Sequence, residues 1–194
     1  MAALAAGATL VTANQRLARH LAAGYAAARQ REGAVVWEAP DILPWPQWLE
    51  RGWQDCLGQL ESDTPQPLLT DAQELALWEA VIRSADTEPL LQVPAAARAA
   101  REAWQLLHAY RLRLPRADEA RSEDVAAFTA WAERYRKRCS TPRWLDRARL
   151  PDAVRSAFVA GRLPRPQALL IAGFDELTPQ QRELLDDLRA AGVA

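Results

Sequence analysis

Two short apolar runs near the two ends of the chain, Ala8–Thr12 and Ala168–Ala172, constrain the fold more than any other feature. Each is short, mostly apolar and followed by turn residues, which is typical of a strand buried on both faces of a parallel sheet. A third run, Ala34–Trp37, predicts another strand, and the residues between the first and the third run have helical apolar spacing. The sequence therefore predicts a strand–helix–strand unit within a parallel sheet.

The middle of the chain, from Leu68 to about Gly161, is predicted to be helical throughout. Thr70 and Gln73 have the spacing of a capping box at the start of the first of these helices. Each helix has a tryptophan or phenylalanine on its apolar stripe, and we interpret these aromatic residues as core anchors rather than cofactor contacts. Further helices are predicted to begin near Pro94, Ser122, Pro151 and Thr178.

These patterns predict a helix-rich α/β protein with a discontinuous domain. Residues 1–65 and 166–194 are expected to form the α/β domain, residues 66–165 a helical insertion, and the polar segment Glu61–Pro67 the first boundary. Val193–Ala194 follows the helix-ending Gly192 and is predicted to begin another strand. The sequence is therefore expected to be part of a longer polypeptide, truncated at its C-terminus.

Composition gives the chain no overall bias toward an anionic partner. The formal net charge is -1, so DNA binding would need a local cluster of cations. The apolar stretches fall short of the roughly 20 residues that span a bilayer, and no membrane partner is expected. Cys56 and Cys139 form no C-x-x-C pair. They are interpreted as reduced thiols, and the protein as cytoplasmic.

Residues that would support catalysis are missing. A phosphate-binding P-loop needs glycines and a lysine followed by Ser or Thr, but the only lysine, Lys137, lies in a predicted helix with no glycine nearby. His20 and His108 have no Cys, Asp or Glu at ligand spacing. No serine or cysteine has a recognisable base partner. The sequence predicts no catalytic residue, no metal and no cofactor.

Two segments resemble motifs of UvrD/RecB-type superfamily 1 helicases. Thr12–Leu21, T-A-N-Q-R-L-A-R-H-L, resembles the T-x-T-N-[KR]-x-A motif. Ala168–Gln181, A-L-L-I-A-G-F-D-E-L-T-P-Q-Q, resembles the Walker B segment, in the D-G-F-x-x-F-T-P form of AddB subunits. The helical stretch between them lies where such motors insert a helical subdomain.

The resemblance is closer to AddB-like probable DNA repair proteins and covers nearly the whole chain. Their N-terminal regions have stretches similar to L-V-T-A-N-Q-R-L-A-R-H-L, P-D-I-L-P-W-P-Q-W-L, Q-E-L-A-L-W-E, W-L-D-R-A-R-L-P and A-G-F-D-E-L-T-P-Q-Q of this chain. The family implies a RecA-like (P-loop NTPase-like) scaffold with a 1B-like helical insertion. It also implies a parent protein that is an exodeoxyribonuclease or helicase-like hydrolase, with a PD-(D/E)XK nuclease outside this sequence.

The resemblance further implies that this segment is an inactivated ATPase. In active motors the Walker B strand is followed by an Asp that binds Mg²⁺ and a Glu that orients water. Ala172 and Gly173 occupy these positions, and neither side chain can hold a metal or a proton. Asp175 and Glu176 follow a buried strand, where α/β sheets place functional residues. They lie beyond the two motor positions, in the degenerate Walker B region, and receive no catalytic role.

Thr12, Asn14 and Arg16 are the predicted DNA-contacting residues. At a strand-to-helix junction a hydroxyl, an amide and the helix N-terminus can meet a phosphate. The alternative is that Asn14 only caps the helix and Arg16 is solvated.

The predicted function is a non-catalytic helicase-like scaffold for DNA tracking or partner docking. Its expected partners are single-stranded DNA and an AddA-like or other repair subunit. The second hypothesis is a structural protein–protein interaction module without DNA affinity, which the near-neutral charge favours.

The basic segment Arg134–Arg138 has two interpretations. It is either a solvated helix end or a DNA-facing patch in which Tyr135 stacks on a base. Arg134 and Arg138 share a helix face, but Arg136 lies about 200° from Arg134. The segment cannot present all its charges to one strand, which favours the solvated interpretation.

We expect no nucleotide binding by this chain. Titration of ATP with Mg²⁺ should give neither a thermal shift nor hydrolysis, because no P-loop holds the phosphates. A micromolar affinity that EDTA reverses would contradict this prediction.

Overall fold

A computed structural model of the protein describes residues 2–59, 66–85, 92–116, 119, 122–140 and 143–194. Contacts divide the chain into two compact units, a sheet unit of residues 1–60, 152–177 and 181–194, and a helical unit of residues 61–151 and 178–180. The strands in the described ranges are β1 (Thr9–Thr12), β2 (Ile42–Pro44) and β3 (Leu169–Ala172). The helices there are α1 (Ala2–Ala5), α2 (Gln15–Arg31), α3 (Trp45–Gln59), α4 (Asp71–Arg83), α5 (Val93–Ala109), α6 (Glu123–Ser140), α7 (Leu150–Val159) and α8 (Pro179–Ala190).

The sheet is parallel and has the strand order β2-β1-β3. The central strand β1 is buried along its whole length, and Leu10 packs with Leu4 and Tyr25 in a core cluster. At the carboxyl end of β1, Thr12 is paired with Pro44 on one side and with Ala172 on the other. The predicted helix-rich α/β class with a parallel sheet is confirmed, as are the strands predicted near Ala8–Thr12 and Ala168–Ala172.

The strand predicted at Ala34–Trp37 is wrong. Val35 and Val36 are 91% and 87% exposed and belong to no strand. The second strand lies instead at Ile42–Pro44, a segment that ends in proline. Strand formation by β-branched residues depends on a pairing partner, so local preference alone did not place the strand. Proline is tolerated at the end of β2 because β2 is an edge strand.

The helical unit has an aromatic core of its own. Trp78 stacks on Tyr135 with a centroid distance of 4.1 Å, and Trp104 meets Tyr135 edge-on at 5.8 Å. Both tryptophans are buried, as expected for core anchors. The capping box predicted at the start of α4 is also confirmed, since Thr70 and Gln73 exchange both of its hydrogen bonds.

Among the described residues of this unit, the carboxyl groups of Asp146 and Glu74 are buried. Asp146 accepts hydrogen bonds from the indole N–H of Trp104 at 3.3 Å and from Nε of Arg149 at 2.8 Å. Glu74 is only 2% exposed, and its Oε1 accepts the backbone N–H of Arg147 at 2.6 Å. Burial raises the pKa of Glu74 to about 7 against the opposing effect of the Arg147 hydrogen bond, and the negative charge of Asp146 acts in the same direction as burial.

Other local expectations have mixed outcomes. Cys56 and Cys139 are buried free thiols, as predicted. No helix in the described part of the chain is long and apolar enough to cross a membrane. Residues 61–65 of the predicted boundary segment lie outside the described residues. Val193 and Ala194 form no strand, although the carbonyl oxygen of Ala194 accepts the N–H of Leu169 at 2.9 Å.

The raised pKa of Glu74 predicts a pH-dependent stability. The folded state holds a proton that the unfolded state releases near pH 4.5, so stability falls as the pH rises from about 4.5 to about 7. Glu74→Gln keeps the acceptor oxygen and removes the charge. Its free energy of unfolding relative to wild type should therefore rise across this window, by on the order of 3 kcal/mol. Urea unfolding at a series of pH values measures this difference.

Glu79→Gln is the matched control, because Glu79 lies on the same helix and its carboxylate pairs at the surface with Arg83. Its pH profile should run parallel to that of the wild-type protein. If Glu74→Gln also runs parallel to wild type, Glu74 does not titrate differently on folding.

Candidate nucleic-acid interface

The carboxyl edge of the sheet unit brings together the segments that follow β1 and β3. The N–H of Ala13 donates to the carbonyl oxygen of Ala172 at 3.0 Å, which extends the β1–β3 pairing by one residue. Functional residues of parallel sheets generally lie beyond this edge. The loop after β1 and the loop after β3 are therefore neighbours where the sequence places its candidate residues.

Thr12 is not available to a ligand. Its side chain is fully buried, and its hydroxyl donates to the carbonyl oxygen of Asn14 at 3.0 Å. The hydroxyl thus fixes the turn between β1 and α2. The prediction that Thr12 contacts DNA is withdrawn, because a contact would require removing this group from the interior.

Asn14 caps α2. It has an extended backbone, and its Oδ1 accepts the N–H of Leu17 at 2.9 Å while its carbonyl oxygen accepts the N–H of Ala18 at 3.2 Å. The capping role that we weighed as the alternative is confirmed. Asn14 positions the helix N-terminus.

Arg16 is the candidate that remains free for a ligand. It lies exposed in the first turn of α2 and makes no hydrogen bond or ion pair with any residue that the structure describes. The first turn contains no acidic residue. Because the leading N–H groups of a helix lack intrahelical acceptors, the backbone of Gln15 and Arg16 presents donors beside the guanidinium. This arrangement suits one phosphate group.

The loop that follows β3 packs closely against α2 at Gly173. Gly173 has φ +76°, and a Cβ added there would lie 2.3 Å from Cδ2 of Leu17. Ala172 is partly buried, and Phe174 meets Trp45 edge-on at a centroid distance of 6.1 Å. Apolar side chains therefore fill the space beside the end of β3.

Asp175 and Glu176 lie on the exposed part of this loop. Among the described residues, no three His, Cys, Asp or Glu side chains are placed to hold a metal ion.

The aromatic residue in the basic segment of α6, Tyr135, does not reach the protein surface. Tyr135 is fully buried in the stack on Trp78, so it cannot stack on a base. Arg136, Lys137 and Arg138 are exposed and lie in the last turns of the helix. The interpretation of a solvated helix end, with cations near the carboxyl end of the dipole, fits this geometry.

Sequence reasoning missed a charged cluster at the opposite, amino edge of the sheet. Asp41, just before β2, accepts hydrogen bonds from Arg51 and from the hydroxyl of Thr9. No spacing rule links these residues, since they come from a strand, a loop and a helix. The sequence gives only a weak signal for this cluster, namely an aspartate just before a strand and an arginine on the helix that follows the strand.

Neither a protein-family profile nor a curated protein matches this sequence.

The close approach of Gly173 to α2 predicts opposite effects for two Gly→Ala substitutions. Gly173→Ala should destabilise the protein by about 1–2 kcal/mol, because φ is positive and Leu17 must move. Gly24→Ala lies inside α2 with nothing within 4 Å of the new Cβ. It should stabilise the protein by about 0.5–1 kcal/mol. Urea unfolding measures both, and equal effects would contradict the packing described.

Proposed function

We propose that this chain is a motor-derived, non-catalytic scaffold of an AddB-like DNA repair protein. In this proposal its sheet unit is a degenerate RecA-like domain that contacts the DNA backbone or docks a partner subunit. The observation that carries it is the exposed Arg16 in the first turn of α2, at the carboxyl edge of a parallel sheet.

The topology supports the motor-derived part of the proposal. The strand that carries the T-x-T-N-[KR]-x-A-like segment is central, and the strand of the Walker B-like segment pairs beside it. A helical unit lies between β2 and β3 in the sequence. This is the arrangement that the resemblance implies.

The side chains at the end of β3 support the non-catalytic part. A methyl group at Ala172 and a hydrogen at Gly173 stand at the two positions where a motor needs carboxylates. Gly173 is also held by its backbone conformation and by its contact with α2. An acidic side chain at this position would have no room without moving Leu17.

The carboxyl edge of the sheet can bind a phosphate group at Arg16. The guanidinium offers several N–H donors, and the helix N-terminus adds a partial positive charge. Such contacts fix a nucleic-acid backbone but do not read its sequence. We therefore propose weak binding of single-stranded DNA that is independent of sequence.

Partner docking is supported by the outer side of β3, where Ala194 accepts one N–H, that of Leu169. Leu170 and Ile171 are 39% and 40% exposed, whereas β1 is buried along its whole length. The sequence of β3 is apolar on both faces, as in a strand covered on both sides. An edge of this kind is a template for pairing with another strand.

The alternative function, a structural interaction module, has a separate observation in its favour. Leu106, Tyr110 and Leu112 are exposed around the carboxyl end of α5 in the helical unit. Adjacent exposed apolar side chains are typical of protein contact surfaces. The net charge of -1 also favours this alternative over DNA binding.

The dependence of DNA affinity on salt distinguishes these two functions. Binding of a poly-dT oligonucleotide should weaken as salt rises, with a linear log–log slope set by the phosphates held. Arg16→Gln should lower the affinity about tenfold and reduce the slope by about 1. Fluorescence anisotropy at several salt concentrations measures both quantities.

Arg31→Gln is the matched control, because Arg31 lies exposed at the other end of the same helix, about 22 Å from Arg16 at 1.5 Å per residue. It should bind like the wild-type protein. An equal loss of DNA affinity in both variants would show that the DNA contact is not made specifically at Arg16. No salt-dependent binding by the wild-type protein would favour the interaction module.

A further inference from the structure

The sheet unit contains a cleft of about 360 Å³ at the amino edge of the sheet, opposite to Arg16. One wall is a single face of α3, formed by Trp48, Arg51, Gly52 and Asp55. The other wall comes from α7 and from residues 163–166 before β3. Its volume is within the range of small-molecule sites. The cleft has no part in the DNA-binding proposal and does not depend on it.

Gly52 leaves this cleft open without a structural need for glycine. A Cβ added at Gly52 would meet Val154 Cγ1 at 3.8 Å and Leu163 Cδ1 at 3.9 Å, which are ordinary contacts. A glycine inside a helix costs roughly 0.5–1 kcal/mol relative to alanine. A methyl group would therefore fit at position 52, whereas a larger side chain would extend into the cleft and fill it.

The cleft is lined by a hydrogen-bonded charged pair, Asp41 and Arg51. Arg51 donates to the two carboxylate oxygens of Asp41 at 2.6 and 2.8 Å, and the hydroxyl of Thr9 donates to the same carboxylate at 2.6 Å. The hydrogen bonds from Arg51 hold the pKa of Asp41 below its usual value. The carboxylate of Asp41 thus has its hydrogen-bond donors within the protein. Arg51 is held in one orientation through its two Nη groups, and no described residue accepts a hydrogen bond from its Nε–H.

Two further charged groups line the cleft with capacity left for a ligand. Asp55 is exposed one helical turn beyond Arg51, whose positive charge it attracts, and makes no hydrogen bond with a described residue. Arg165, on the opposite wall, uses one Nη to donate to the carbonyl oxygen of Ala191 at 3.0 Å. The four charges of Asp41, Asp55, Arg51 and Arg165 sum to zero.

We infer that this cleft binds a small zwitterion with an aliphatic side chain, namely a free amino acid or a very short peptide. The guanidinium donors of Arg51 and Arg165 suit its carboxylate, and the carboxylate of Asp55 suits its ammonium group. Val154 and Phe158 provide the apolar wall for the side chain. Because the charged side chains that line the cleft sum to zero, they favour a zwitterion. A ligand with only a positive or only a negative charge would leave the side chains of one sign without a partner.

L-leucine is the probe that tests this inference, in calorimetric titration of the full chain. It should bind in the millimolar range or tighter, while N-acetyl-L-leucine and L-leucinamide, which each lack one charge, should bind about tenfold more weakly. Gly52→Leu fills the cleft and should abolish binding. Gly52→Ala, which fits the space, should retain it. Tighter binding of leucyl-leucine than of leucine would assign a peptide as the ligand.

Asp55→Asn separates recognition from folding. The variant should bind leucine about tenfold more weakly and should no longer discriminate leucine from N-acetyl-leucine, because the partner of the ammonium group is removed. Undiminished binding by Gly52→Leu, or discrimination kept by Asp55→Asn, overturns the inference. So does the absence of leucine binding to the wild-type protein. None of these outcomes bears on the salt-dependent DNA affinity of Arg16.

Discussion

The parallel pairing of β1 with β3 joins segments from opposite ends of the chain, and the sheet unit depends on it. Leu10 pairs with Leu170 and Val11 with Ile171, and Val11 is fully buried. The helical unit lies between the two strands in the sequence. Closing a long loop costs little more than closing a short one, since the entropy grows only with the logarithm of length. A large insertion is therefore compatible with this pairing.

The same pairing decides what the two edges of the sheet can do. At the carboxyl edge it brings Gly173 against Leu17, so that the loop after β3 supports the first turn of α2. Thr12 and Asn14 are used in building this turn, and Arg16 is left for a ligand. The candidate interface is a single cation on a well-fixed helix N-terminus. A site of this kind supports positioning of a phosphate rather than catalysis.

The amino edge has a different character, because Asp41 and Arg51 are paired and oriented there within the protein. The Asp41 carboxylate ties the start of β2 to α3 through Arg51 and to β1 through Thr9. The carbonyl oxygen of Asp41 also accepts the N–H of Leu10 at 2.8 Å. These bonds fix Ile42–Pro44 as the strand beside β1. They give a physical reason why Val35 and Val36, with stronger strand-forming side chains, stay exposed outside the sheet.

The sequence by itself determined the features that local chemistry controls. The caps at Asn14 and Thr70, the tryptophan anchors on the apolar helix stripes, and the strands β1 and β3 follow from side chains within a few positions of one another. Only the tertiary structure decided which segment pairs beside β1, and that residues 152–165 group with the sheet unit, where Phe158 stacks on Trp48. It alone decided that Thr12 is inside and Arg16 outside. Such choices depend on burial and on partners distant in sequence, which no local pattern encodes.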